Sequence, residues 1–259
     1  MPSTPPAGQP PLANESHSKP AGGLPSLIIG GERHPIADLA VSTWLDGDDV
    51  VAFDGADRVG RSITELIVHE SVTWSRADTE RVLLRRGLGI HLMVDVDGHV
   101  TQHGDLADDR LAHAAGHNGP SVGLEVITPY YPPKLRWRGG RHGRKVIKAP
   151  WAHKRRYVVP TKLQLESVAM LIEALTGDAA PLAIPRAWVG LRNGRLRMGL
   201  LGNGRTRQSG IWAHHYSAHA DGAFPVLYAY LRIEEGLPIT QAYARAVELA
   251  TGARGWVRP

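Results

Sequence analysis

The feature that most restricts the fold of this 259-residue chain is a pair of short stretches more than a hundred residues apart. In the first, Glu65-Leu66-Ile67-Val68-His69-Glu70-Ser71, an apolar strand pattern delivers one histidine to its end. In the second, Ile211-Trp212-Ala213-His214-His215-Tyr216-Ser217-Ala218-His219-Ala220-Asp221-Gly222, three histidines and a carboxylate crowd a strand and the loop behind it. Imidazole nitrogen and carboxylate oxygen are the ligand set of a catalytic zinc, and a strand running into a loop can aim both at one point. Two histidines and one acid from distant strand ends make a three-ligand site with an open fourth position, as in zinc hydrolases. Together the two stretches predict a fold in which these strand ends meet.

Composition narrows the chemistry further. The chain has no cysteine, which excludes disulfides, zinc-thiolate ligands and cysteine nucleophiles, so a metal must be held by His, Asp or Glu. A hydrophobic share of 42% and a charged share of 21% are those of an ordinary globular protein. No apolar run is long enough for a bilayer, so membrane insertion is not expected. The length suits one large domain with additions or two small ones.

The organisation reads as follows. Residues 1–25 are rich in Pro, Ser, Gly and Ala and poor in large apolar side chains, so a disordered tail is expected there. Residues 26–61 alternate short apolar clusters with Gly and Asp turns and read as strands or a packed arm, an N-terminal extension packed on the main domain. The domain itself is expected over 62–235, and a C-terminal helix and tail over 236–259. Ser75 with Asp78 predicts a helix start through Glu80 to Arg86, stopped by Gly87. A strand is expected at Ile90–Asp95, and Asp97-Gly98 predicts a hairpin into His99–His103. The apolar run Ser121–Ile127 fits a central strand covered on both faces. Thr161 and Gln164 form a capping box for a helix whose Leu165, Val168, Ala169, Ile172 and Leu175 share a face. Further helices are expected near Val226–Glu235 and Ile239–Thr251. Strands interleaved with helices indicate an α/β or α+β sheet domain.

One segment stands apart. Lys134 to Arg156 carries ten positive charges and no acid, while the whole chain is only +5, so the basic character is local. The plainer reading is a solvated hairpin or loop inserted before the capped helix, over residues 133–159. The functional alternative is a polyanion-binding patch, with Trp137, Trp151 and Tyr157 available to stack on sugar rings or bases. No nucleic-acid recognition motif accompanies it, and nucleic acid is not the expected partner.

Five motifs in order carry a family resemblance: Val68-His69-Glu70-Ser71; Gly87-Leu88-Gly89-Ile90-His91-Leu92 with Asp97-Gly98; Leu111-Ala112-His113-Ala114-Ala115-Gly116-His117-Asn118; Ser121-Val122-Gly123-Leu124-Glu125; and Ala213-His214-His215 to Asp221. Together they resemble the type-2 N-acetylmuramoyl-L-alanine amidases, a superfamily that includes phage lysozyme-like amidases and peptidoglycan-recognition proteins. The resemblance runs from about Ile63 to Leu231. It implies a central mixed β-sheet flanked by helices, with a zinc in a groove on one face.

The resemblance also implies roles. His69, His214 and Asp221 match the zinc ligands, with His215 left as the alternative to His214 because the spacing to Asp221 is tight. Glu125 matches the glutamate beside the metal water, as general base and then general acid. His219 stands where relatives often carry lysine, and as a titrating rather than fixed cation it is assigned to the oxyanion. His113 and Asn118 resemble positions that shape the substrate groove, and Tyr130 with Tyr131 and Pro132 suggests an aromatic wall. The other histidines of that region, His91, His99, His103 and His117, are read as lining or supporting the site rather than binding metal. Glu70 is a candidate for orienting a ligand imidazole.

The function so implied is a zinc-dependent amide hydrolase acting on peptidoglycan or soluble muropeptides, at the bond between N-acetylmuramic acid and L-alanine, in cell-wall degradation of an endolysin-like kind. The alternatives are a non-catalytic peptidoglycan-binding protein of the same fold and the polyanion binder above. The first residues lack the basic start and apolar stretch of a Sec signal, so the chain is expected to be cytoplasmic as synthesised, with release or non-Sec export needed to reach a wall.

Overall fold

The computed structural model describes residues 24–47, 49–132, 144–201, 208–217 and 219–259. The expected tail, apart from Leu24 and Pro25, lies outside the described residues, as do 133–143 of the basic segment with Trp137.

The chain opens with a hairpin of β1 (Ser26–Ile29) and β2 (Glu32–Pro35), followed by β3 (Val41–Thr43), β4 (Ala56–Asp57), β5 (Glu65–Glu70) and helix α1 (Arg76–Arg85). Then come β6 (Leu92–Val94), β7 (Val100–Gln102), β8 (Asp109–Arg110) and β9 (Ser121–Val126). A second hairpin, β10 (Val146–Lys148) and β11 (Arg156–Val158), precedes helix α2 (Lys162–Leu175). The last third holds β12 (Leu191–Arg192), β13 (Arg195–Arg197), β14 (Gly210–Ala213), α3 (Ala223–Ile233), α4 (Ile239–Ala250) and β15 (Trp256–Val257).

Six strands form one sheet in the order β14-β5-β9-β6-β7-β3. The first four run parallel, β7 returns antiparallel to β6, and β3 lies parallel to β7, so the α/β domain has a central mixed sheet. The turn between β6 and β7 closes at Asp97-Gly98, where Gly98 takes φ +88 and its amide donates to the Asp95 carbonyl at 2.9 Å. Helix α1 starts where the Ser75 hydroxyl accepts the Asp78 amide. Helix α2 starts with both halves of the Thr161–Gln164 capping box in place. Gln164 also donates from Nε2 to the carbonyls of Val94 and Ile127, so the cap that begins α2 anchors it to the ends of β6 and β9.

Alternation along the strands sorts two cores. Leu92 and Val94 of β6, with Leu124 and Val126 of β9, join the large core beneath α2, α3 and α4. Met93 points the other way, into a smaller core with Phe53, Ile90, Leu111 and Ile127 that Leu83 of α1 packs against. Met93 is in register with Glu125, and Glu125 with His69, so all three share the face turned away from the large helical layer.

Two parts of the chain differ from their sequence reading. Residues 26–43 do more than rest on the domain: β3 is the edge strand of the sheet, and the Gln102 side chain exchanges hydrogen bonds of 2.9 and 2.8 Å with the Ile28 backbone. In the basic segment, Trp151 and Tyr157 are not stacking platforms. Tyr157 is fully buried against Phe224 at 5.2 Å, and Trp151 is buried with its indole N–H on the Ala250 carbonyl at 2.8 Å. Arg144 is buried too, donating to Thr128 Oγ1 at 3.2 Å. The physical reason is that aromatic surface between cations is still worth more inside than in water, provided its polar tip finds a partner. Among the described residues no helix is long and apolar enough to cross a membrane.

Candidate metal centre and active site

Parallel strands end on one side, and side chains there converge outside the carboxyl ends of the sheet. His69 is the penultimate residue of β5, and Glu125, its register partner, the penultimate residue of β9. β14 pairs with β5 up to Ala213 opposite Val68, and His214 follows at once in a short 3₁₀ turn. The chain then comes back at Asp221, whose carbonyl accepts the His215 amide at 2.8 Å.

That return depends on Gly222. It adopts φ +80, and a Cβ there would stand 2.0 Å from the Val68 carbonyl oxygen. Its amide donates to Glu70 Oε2 at 2.8 Å, the Glu70 amide donates to Asp221 Oδ2 at 3.2 Å, and the Tyr157 hydroxyl donates to Glu70 Oε1. Glu70 therefore does not touch a ligand imidazole. It pins the loop that carries Asp221, and through Tyr157 the β11 hairpin is tied to the same point. Burial pushes the Glu70 carboxyl up to about 8, against the lowering pull of the Tyr157 and Gly222 donors.

His69, His214 and Asp221 meet. His69 Nδ1 and His214 Nδ1 face one another at 3.0 Å, His214 Nδ1 lies 3.2 Å from Asp221 Oδ1, and His69 Nδ1 lies 3.9 Å from Asp221 Oδ2. Three donors about 2.0–2.1 Å from a tetrahedral zinc would be separated by roughly 3.3 Å, within the span of these distances. Asp221 Oδ1 is buried and accepts no hydrogen bond, a cost that a cation between the three donors would remove. Burial first, then the imidazoles of His214 and His113, holds the His69 ring well below its ordinary pKa, so it presents a neutral lone pair. The donor set fits a divalent metal ion. His215 is turned elsewhere, its ring 6.3 Å from Trp151, and the geometry brings in His214.

A cavity of about 180 Å³ opens beside this cluster, lined among others by Glu125, Tyr130, His113, His219 and, from α1, Val82 and Leu83. Glu125 is half-buried, and burial, reinforced by the Asp221 and Glu70 carboxylates, raises its pKa well above the usual range. It is thus poised to hold a proton. His219 is exposed at the rim, its ring 4.8 Å from that of His214. Tyr130 forms part of the wall and meets Tyr131 edge-on at 5.0 Å.

The remaining candidates fall differently. His113 lines the cavity, but both its ring nitrogens are engaged: Nδ1 lies 3.1 Å from His69 Nε2 and Nε2 lies 3.1 Å from Ser121 Oγ. Asn118 is not among the cavity's lining residues; its side-chain Oδ1 accepts the amides of His113 and Ala114 at 3.0 and 2.7 Å and shapes their loop. His91, His99, His103 and His117 bond to Gly123, Ser42, Val51 and Glu65, respectively. Sequence reasoning gave no role to Gly222 or Ser121. The glycine directly after the metal acid was the available signal, since only a left-handed position requires it there.

The profile of the family described as N-acetylmuramoyl-L-alanine amidase matches residues 59–221, more than half of the chain. No curated protein matches it. Among solved structures, it is similar to the endolysin N-acetylmuramoyl-L-alanine amidase LysCS from Clostridium intestinale URNW, at 11% identity and TM-score 0.46, over 77% of this chain and 97% of that one. Bumblebee PGRP-SA is similar at 18% identity and TM-score 0.36, over 53% of this chain and 74% of that one. Drosophila PGRP-LB is similar at 20% identity and TM-score 0.31, over 52% and 72%.

Proposed function

Because this chain belongs to the N-acetylmuramoyl-L-alanine amidase family, we propose that it is a zinc-dependent enzyme that hydrolyses the amide between N-acetylmuramic acid and the L-alanine of peptidoglycan stem peptides. The observation that carries the reading is the convergence of His69 Nδ1, His214 Nδ1 and an Asp221 oxygen beside the Glu125 carboxylate, in one cavity. Those three residues would hold the ion. Zinc in such a site supplies Lewis acidity, polarising a carbonyl and making water a nucleophile near neutral pH.

The protein's own groups do the rest. Glu125 takes a proton from the attacking water as its oxygen bonds to the lactyl carbonyl carbon, and delivers that proton to the alanine nitrogen as the C–N bond breaks. The products are a free lactyl carboxylate and a free alanine amino group. His219, at the rim, donates toward the oxygen that gains charge in the tetrahedral state, and the Tyr130 wall packs against apolar parts of the substrate. An intact donor set favours catalysis over a purely binding role, and the burial of Trp151 and Tyr157 removes two of the three aromatic side chains on which a polyanion reading drew.

Mass spectrometry of digested peptidoglycan tests this. New amino groups on L-alanine without new reducing sugar ends are expected; new reducing ends alone would make the protein a glycosidase, and no product at all with zinc bound would make it a binding protein.

A further inference from the structure

Resting on the zinc reading above, we propose that His113 is a positioning residue: it sets His69 in the tautomer whose Nδ1 is bare, through a one-way hydrogen-bond relay that starts at the His117 carbonyl.

The direction of the relay is fixed at the end where no choice exists. A carbonyl oxygen only accepts, and Ser121 Oγ lies 2.6 Å from the His117 carbonyl, so the hydroxyl hydrogen sits between them. A hydroxyl has one hydrogen. Toward His113 Nε2, at 3.1 Å, Ser121 Oγ can then only accept, and Nε2 must carry a proton. A neutral imidazole carries one ring proton, and in His113 it is on Nε2. A neutral ring protonated on Nε2 is bare on Nδ1, which lies 3.1 Å from His69 Nε2. His69 therefore donates from Nε2, and its own lone pair falls on Nδ1, the atom facing His214 and Asp221. Each proton position follows from the one before it. The metal-binding form of His69 is in place before an ion arrives, and ring orientation and ligand basicity are set together.

A second observation shows that the fold makes room for this contact. Gly123 lies in the middle of β9, a central strand, where glycine weakens pairing and packs nothing. A Cβ at that position would stand 2.3 Å from Ile90 Cδ1, 2.7 Å from His113 Nδ1 and 2.8 Å from His113 Cγ. The missing side chain leaves the space that the His113 ring and the Ile90 side chain share. From the other side, Asn118 Oδ1 clamps the backbone amides of His113 and Ala114, so the ring is carried on a fixed loop.

The test separates an acceptor from a groove wall. His113→Phe keeps a ring over Gly123 but offers His69 no acceptor, whereas His113→Asn places an amide oxygen near the position of Nδ1. Zinc affinity, read by competition with a chromophoric chelator, is expected to fall about 10–100-fold in His113→Phe and to be restored to within a few-fold by His113→Asn. Nitrogen-15 NMR of the metal-free protein should show His69 with its proton on Nε2, and a mixture of tautomers in His113→Phe and in Ser121→Ala. If His113→Phe does not fold, His113→Asn and Ser121→Ala carry the comparison. Wild-type zinc affinity together with an unchanged His69 tautomer in His113→Phe or Ser121→Ala overturns the proposal. If the wild-type chain binds no zinc, the enzymatic reading fails, and the His69 tautomer still decides the relay.

Discussion

The Gly222 amide and the Glu70 carboxylate are joined at 2.8 Å across 152 residues of sequence, and that bond fixes where Asp221 stands. Gly222→Ala should therefore destabilise by more than the roughly 1–3 kcal/mol of a left-handed non-glycine residue, because its Cβ also meets the Val68 carbonyl. Glu70→Gln keeps an acceptor for the amide and should cost less. Denaturant midpoints and zinc content of the two variants check the ranking; equal behaviour to wild type in Gly222→Ala would mean the loop has another route.

Zinc should bind at about one ion per chain, with activity lost on chelation and restored by zinc. His69→Ala, His214→Ala and Asp221→Ala are each expected to abolish tight binding, while His215→Ala, whose ring lies toward Trp151, should retain it. Elemental analysis of the purified variants decides the set, and full zinc in any of the first three removes that residue from it.

Glu125 shares the cavity with the three donors without belonging to their cluster. Glu125→Gln should hold zinc as wild type does and lose turnover by roughly 10²–10⁴-fold. Turnover on muropeptides and metal content, measured on the same preparation, check both halves.

The exposed His219 ring lies 4.8 Å from that of His214. If it serves the oxyanion, His219→Ala lowers turnover at unchanged zinc content and His219→Lys restores it with a fixed charge. Wild-type rates in His219→Ala would leave it a rim residue of no catalytic consequence.

His91 predicts acid sensitivity. Burial, reinforced by Arg58, pushes its pKa down to about 3 from an ordinary 6.5, so the unfolded chain takes up that proton first. The stability from this group is complete above about pH 6.5 and is lost as pH falls toward 3. Urea midpoints should drop between pH 7 and pH 5, and His91→Gln, which can still meet the Gly123 amide and the Asp109 carbonyl, should flatten that slope. It should not abolish it, because His103 and His215 are both pushed down to about 4 by burial.

How much of this was legible follows the range of each signal. The Asp97-Gly98 turn, the Thr161–Gln164 cap and the apolar strand Ser121–Val126 are local, and the sequence states them in a few adjacent residues. The strand carrying His69 and the run ending in Asp221 were readable as chemistry, because a donor-rich strand end has few other uses. β3 was not: three residues, Val41 to Thr43, hold too little pattern to say that they close the edge of a sheet. Trp151 and Tyr157 were misread because charge around an aromatic says nothing about the partner its hydroxyl or indole finds 87 or 99 residues away. His113 lines the cavity and the Asn118 side chain clamps its loop, while the hydrogen bonds that join His113 to Ser121 and Ser121 to the His117 carbonyl were out of reach of the sequence, because only the folded loop assembles them.

The edge position of β3 bears on where this protein can be cut. The span that matches the family, 59–221, contains His69, His214 and Asp221 yet begins after β3 and stops two residues before α3. Expressed alone, it would bare the flank of β7 to strand addition by other chains and strip α3 from β5 and β14. A unit that leaves none of these strands bare therefore reaches from β1 through β15, and swapping or fusing this protein as a part calls for junctions outside those limits.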